Sequence, residues 1–168
     1  MAEIRLTTTQ NIVKNTPLSG NVGVDKYIFL IDDVQVMVLE PVLGTNLYNK
    51  IKTDYNDNTI TGLYLQMLED YIQPFLNHAV FAEYTRNGSY RIRNNGNVKH
   101  QPTNSTTMSE QEDTSFLQHQ LNKADNYLQR LQKFLDYKGS EVPEYNTQLN
   151  NYDIDAKENK GFNLTWFV

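Results

Sequence analysis

Apolar residues recur at helical spacing along most of this chain. Between residues 22 and 39 they fall at Val24, Tyr27, Ile28, Ile31, Val34 and Val38, which places them on one face of a helix. Asp25, Asp32 and Gln35 lie largely off that stripe. A shorter pattern over residues 7–14, with Ile12 and Val13 inward, predicts a first helix capped by Thr7, Thr8 or Thr9. "NTPLSGN" then reads as a turn. A long helix is predicted over residues 61–85, with Leu63, Met67, Leu68, Tyr71, Phe75, Leu76, Ala79 and Ala82 as a broad inner face. Pro74 sits in its middle and predicts a kink rather than an end, because the pattern resumes at once. The last helix opens on the capping box "SEQE", residues 109–112. Its apolar positions Leu117, Leu121, Ala124, Leu128, Leu131 and Leu135 form a narrow seam. Gly139 is its stop.

The stretch "LEPVLGTNLYNKI", residues 39–51, breaks this regularity with Pro41 and Gly44. Pro41 removes a backbone donor and pushes Glu40 away from the α region, yet it suits the first turn of a new helix. A corner is therefore expected at Leu39–Glu40. A second helix would follow over residues 41–53, with Leu43, Leu47, Tyr48 and Ile51 facing the core. Gly44, lacking a side chain, would let that helix lie close against a neighbouring backbone.

Helical periodicity vanishes between residues 86 and 108. "SYRIR" and "NVKHQ" flank "NNG", which predicts a β-hairpin or an extended loop of that shape. No acid occurs between Glu83 and Glu110, whereas Arg86, Arg91, Arg93, Lys99 and His100 do. Arg86, Arg91, Arg93 and Lys99 are candidate contacts to phosphate or to an acidic partner surface. Beyond Glu141 the chain is polar until "GFNLTWFV". There Phe162, Leu164, Trp166 and Phe167 are expected to dock on a neighbouring subunit. These elements describe a mainly α protein: an antiparallel bundle of about four helices with a hairpin or extended loop inserted before the last helix and an extended C-terminal tail. Residues 1–138 form the helical domain and residues 139–168 the C-terminal arm.

Charge and chemistry narrow the function. The net charge is −5 at pH 7, and general nucleic-acid binders are usually basic. With no cysteine, disulfides and thiolate metal sites are excluded. The N-terminus lacks the apolar core of a signal peptide, and no run approaches the roughly 20 apolar residues of a membrane span. A reducing cytoplasm is the expected place of synthesis, and no membrane partner is expected. The triplets at Asn87, Asn104 and Asn163 then read as chance rather than glycosylation sites. His78, His100 and His119 form no metal-ligand spacing, and no Glu-x-x-His pair occurs. Adjacent carboxylates such as Asp32–Asp33 and Glu69–Asp70 diverge by about 100° on a helix and read as solvated faces. There is no phosphate loop, dinucleotide fingerprint or nucleophile elbow. No enzyme activity, cofactor or metal is expected.

The order of elements, with Leu39, Pro41, Val42, Leu43, Gly44, Leu47 and Tyr48 in the pattern L-x-P-[LV]-L-G-x-x-L-Y, resembles the head–tail connector (adaptor) proteins of tailed bacteriophages, closest to those of crAss-like phages. The resemblance covers residues 7–84 well and the rest loosely. It implies a virion structural protein that assembles, in the host bacterial cytoplasm, into a ring of usually twelve copies at the neck. Such a ring docks on the portal protein, meets tail or stopper proteins and extends the channel through which genomic DNA passes without specific binding. An acidic chain suits that passage. Two alternatives stand beside it: a small helical nucleic-acid-binding or regulatory protein using the basic hairpin, and a phage stopper or tail-completion protein.

Overall fold

A computed structural model of the chain describes residues 4–88, 90–93, 96–99, 110–145 and 152–156. It is mainly helical. The elements are α1 (Thr9–Asn15), a 3-10 turn (Val24–Lys26), α2 (Ile28–Val34), a π turn (Gln35–Leu39), α3 (Glu40–Leu43) and α4 (Thr45–Asn56). Next come α5 (Gly62–Met67), a second π turn (Leu68–Ile72), α6 (Gln73–Gly88), β1 (Tyr90–Arg93), β2 (Gly96–Lys99), α7 (Glu110–Lys138) and a closing 3-10 turn (Gly139–Glu141). No described helix is long and apolar enough to cross a membrane.

Thr8 caps α1, its hydroxyl accepting from the Asn11 N–H at 3.1 Å. The stripe read along residues 22–39 is buried at Tyr27, Ile31, Val34 and Val38, while Val24 stays outside it at the 3-10 turn. The long central rod runs from α5 through the second π turn to the end of α6, and Met67, Ile72, Phe75, Leu76, Ala79 and Val80 are sealed from solvent. α7 returns along it. Three ring contacts fix the direction: Phe81 meets Phe116 at 5.9 Å, His78 stacks on Tyr127 at 5.9 Å and Tyr71 meets Phe134 at 5.4 Å. Residue numbers fall on one helix as they rise on the other, so α6 and α7 are antiparallel. Ala124, Leu128, Leu131 and Leu135 bury the seam between them.

The expected corner at Leu39–Glu40 is not there. Both residues are right-handed helical, at φ/ψ of −73°/−46° and −57°/−45°. The chain turns at Gly44, where φ is 77° and ψ is 151°, a region essentially open only to glycine. The reason lies in the turn before Pro41. A proline ring collides with the carbonyl four residues earlier. For Pro41 that carbonyl belongs to Met37, in the middle of the π turn. Glu40 donates its N–H to the Gln35 carbonyl, one residue further back than in an α-helix, so the backbone widens and the proline fits. The same device precedes Pro74. Asp70 lies inside the π turn Leu68–Ile72, and Gln73 donates to the Leu68 carbonyl. Neither proline ends its helix.

β1 and β2 pair antiparallel with Tyr90 opposite Lys99, Arg91 opposite Val98, Ile92 opposite Asn97 and Arg93 opposite Gly96. The hairpin therefore begins later than expected, and Arg86 belongs to the last turn of α6.

Candidate interaction surfaces

The corner residues form one buried unit. Leu39, Leu43 and Leu47 are fully buried and Tyr48 nearly so, while Pro41 sits in the first turn of α3. Gly44 ends α3 and starts α4, and what lies against it is the chain's own C-terminal arm. A Cβ on Gly44 would stand 3.0 Å from the Ala156 nitrogen and 3.2 Å from the Ile154 carbonyl oxygen. The Thr45 N–H donates to that carbonyl at 2.9 Å, satisfying a donor that the start of α4 would otherwise leave unmatched. The Thr45 hydroxyl accepts from the Ile154 N–H at 2.9 Å and donates to Glu40 Oε1 at 2.7 Å. Further back, Val142 is buried and the Tyr64 hydroxyl donates to Glu144 Oε2 at 2.6 Å. Burial, followed by that carboxylate, pushes the Tyr64 phenol up to about 12. The described parts of the arm thus lie on the helical body of their own chain.

A second clasp holds residues 4–7. Leu6 is fully buried. Its N–H donates to Gln35 Oε1 at 2.6 Å, and its carbonyl accepts from Gln73 Nε2 at 3.0 Å. Gln35 Nε2 donates to the Ile4 carbonyl at 3.1 Å and to the Tyr48 hydroxyl at 3.4 Å. Arg5 grips Asp32 with two bonds, at 2.8 and 2.6 Å, and the Thr7 hydroxyl donates to Asn77 Oδ1 at 2.8 Å. Two sequence expectations change here. Gln35 lies in the interior rather than off the buried stripe, and Asp32 is an ion-pair partner rather than a merely solvated carboxylate. Hydropathy conceals both, because their partners stand about thirty residues away in sequence.

A third surface is open. Phe29, Val36 and Met37 project outward from α2 and its π turn, 49%, 46% and 55% exposed. Beside them runs a groove of about 230 Å³ lined by Phe29, Asp33, Met37, Glu83 and Asn87 over Leu30, Val34 and Val38. Burial raises the Glu83 carboxyl above its ordinary range, partly opposed by Arg86 at 3.8 Å and by Asn87 Nδ2 at 3.4 Å. Periodicity did mark the inward residues of α2, but it could not single out which outward apolar residues gather beside a carboxylate from α6.

The other candidates divide as follows. Arg86 stands beside Glu83. Arg91, Arg93 and Lys99 lie on the paired strands, and their side chains are outside the description. Phe162, Leu164, Trp166 and Phe167, expected to dock on a neighbour, also lie outside the described residues, as does His100. Burial lowers the His78 imidazole below its ordinary value, and His119 is exposed on α7. Among the described residues no group of His, Asp and Glu could hold a metal ion.

Residues 39–153 match DUF6712, a family of unknown function, and the chain belongs to that family. No curated protein and no solved structure matches it.

Proposed function

We propose that this member of DUF6712 is a virion structural protein, a head–tail connector ring subunit of a tailed bacteriophage. In this reading it assembles in the bacterial cytoplasm, docks on the portal protein at the neck and continues the DNA channel toward tail or stopper proteins. It performs no chemistry of its own. The observation that carries the reading is the turn within "LEPVLGTNLY". There the arm lies against Gly44, and Thr45 holds it through its N–H and its hydroxyl. A helical body with an outward apolar strip at Phe29, Val36 and Met37 supports it too, since contiguous exposed apolar surface marks contact with other molecules.

The test is electron microscopy and native mass spectrometry of the chain mixed with a phage portal protein from the same source. A closed ring on the portal is expected. A chain that stays monomeric and ignores the portal would remove the reading. The antiparallel pairing of Tyr90–Arg93 with Gly96–Lys99 favours a second reading, a nucleic-acid contact through the basic hairpin. It predicts DNA binding that weakens with salt and is lost in Arg91→Ala/Arg93→Ala.

A further inference from the structure

We propose that the groove beside Phe29 and Met37 receives the basic hairpin of a second copy of this chain. The inference rests on the ring reading and narrows it to one pair of surfaces. The groove combines an apolar floor with two carboxylates, Asp33 and Glu83. Asp33 is exposed, and Glu83 lies half-buried at the groove wall. Burial holds the Glu83 carboxyl above its ordinary range although Arg86 stands 3.8 Å away, and neighbouring Asp33 adds a second negative charge, so a further cation is favoured in the groove. The matching occupant presents apolar and cationic side chains in alternation.

This chain contains one such segment. "YRIR" alternates aromatic or aliphatic residues with arginine, and its partner strand adds Val98 and Lys99. It lies in the acid-free stretch of a chain whose net charge is −5. The described residues that line the groove all belong to α2, its π turn and α6. A groove on one copy and a hairpin from the next make a head-to-tail contact. Such a contact repeats from subunit to subunit and, where its rotation closes, forms the ring of the connector reading, unlike a twofold pair.

Charge reversal tests the pairing on the full-length chain, alone and with portal, by native mass spectrometry and sedimentation. Asp33→Lys/Glu83→Lys and Arg91→Glu/Arg93→Glu should each weaken self-association by about tenfold or more, because like charges then face one another. Mixing the two variants, or combining all four changes in one chain, should restore it. If Glu83→Lys fails to fold by circular dichroism, Asp33→Lys/Met37→Lys, both at exposed positions, replaces it. Association untouched by either reversal, or not recovered on mixing, overturns the pairing. Should wild-type rings still form on the portal in that case, the connector reading stands alone. A wild-type chain that is monomeric in every condition removes both. Loss of DNA binding in Arg91→Glu/Arg93→Glu with association unchanged assigns the hairpin to nucleic acid and overturns the proposal.

Discussion

Pro41 and Pro74 occupy the same local setting and have different sequels. Each is preceded by a five-residue π turn and one intervening residue, Glu40 or Gln73. After Pro41 the helix stops within a few residues, at Gly44. After Pro74 it continues to Gly88. The difference teaches that proline is not what bends this chain. A helix absorbs proline when the preceding turn can widen and move the clashing carbonyl aside. The turn takes φ 77° and ψ 151°, a region essentially open only to glycine, and glycine stands three residues after Pro41 but not after Pro74, where that place is Asn77. The two π turns also differ in what they hold. Gln35, the first residue of one, is fully buried and bonded to Leu6, Ile4 and Tyr48. Gln73, just after the other, is partly buried and donates one bond to Leu6.

Gly44→Leu should break the comparison most severely. The backbone there is strained for any residue with a Cβ, and the added side chain meets the arm at Ile154 and Ala156. A loss of about 3 kcal/mol or more is expected in urea unfolding, with the arm becoming open to limited proteolysis. A well-tolerated Gly44→Leu would show that close packing at the turn is unimportant. Gln35→Ala comes next, at about 2–3 kcal/mol, because it empties buried space and leaves the Leu6 N–H unmatched. Gln73→Ala should cost about 1 kcal/mol, since it removes one bond from a partly exposed site. Equal effects from the two glutamines would refute the asymmetry between the π turns. Pro74→Ala is the mildest change, within about 1 kcal/mol, because the helix already passes through that position. NMR chemical shifts should still show helix on both sides of residue 74.

Much of the fold is legible in the chain because its signals are local. Tyr27, Ile31, Val34 and Val38 announce one buried face, and Ala124, Leu128, Leu131 and Leu135 another, through spacing alone. "NNG" between two short runs indicates the hairpin, whose pairing follows in register. Leu43, Leu47 and Tyr48 could be assigned to the core in the same way. The position of the corner could not, because Pro41 advertises a break that the π turn removes, and a π turn has no simple sequence signature.

The sequence by itself determined the helical class, the buried faces, the basic island and the need for something unusual around Gly44. Each depends on residues within one or two turns of one another. Tertiary structure alone decided that the neighbour of Gly44 is the arm at Ile154 and Ala156, that Gln35 and Gln73 converge on Leu6, and that Asp33 and Glu83 share a groove. Those pairings join residues tens of positions apart, and a side chain's own pattern records whether it is buried but not which distant partner buries it.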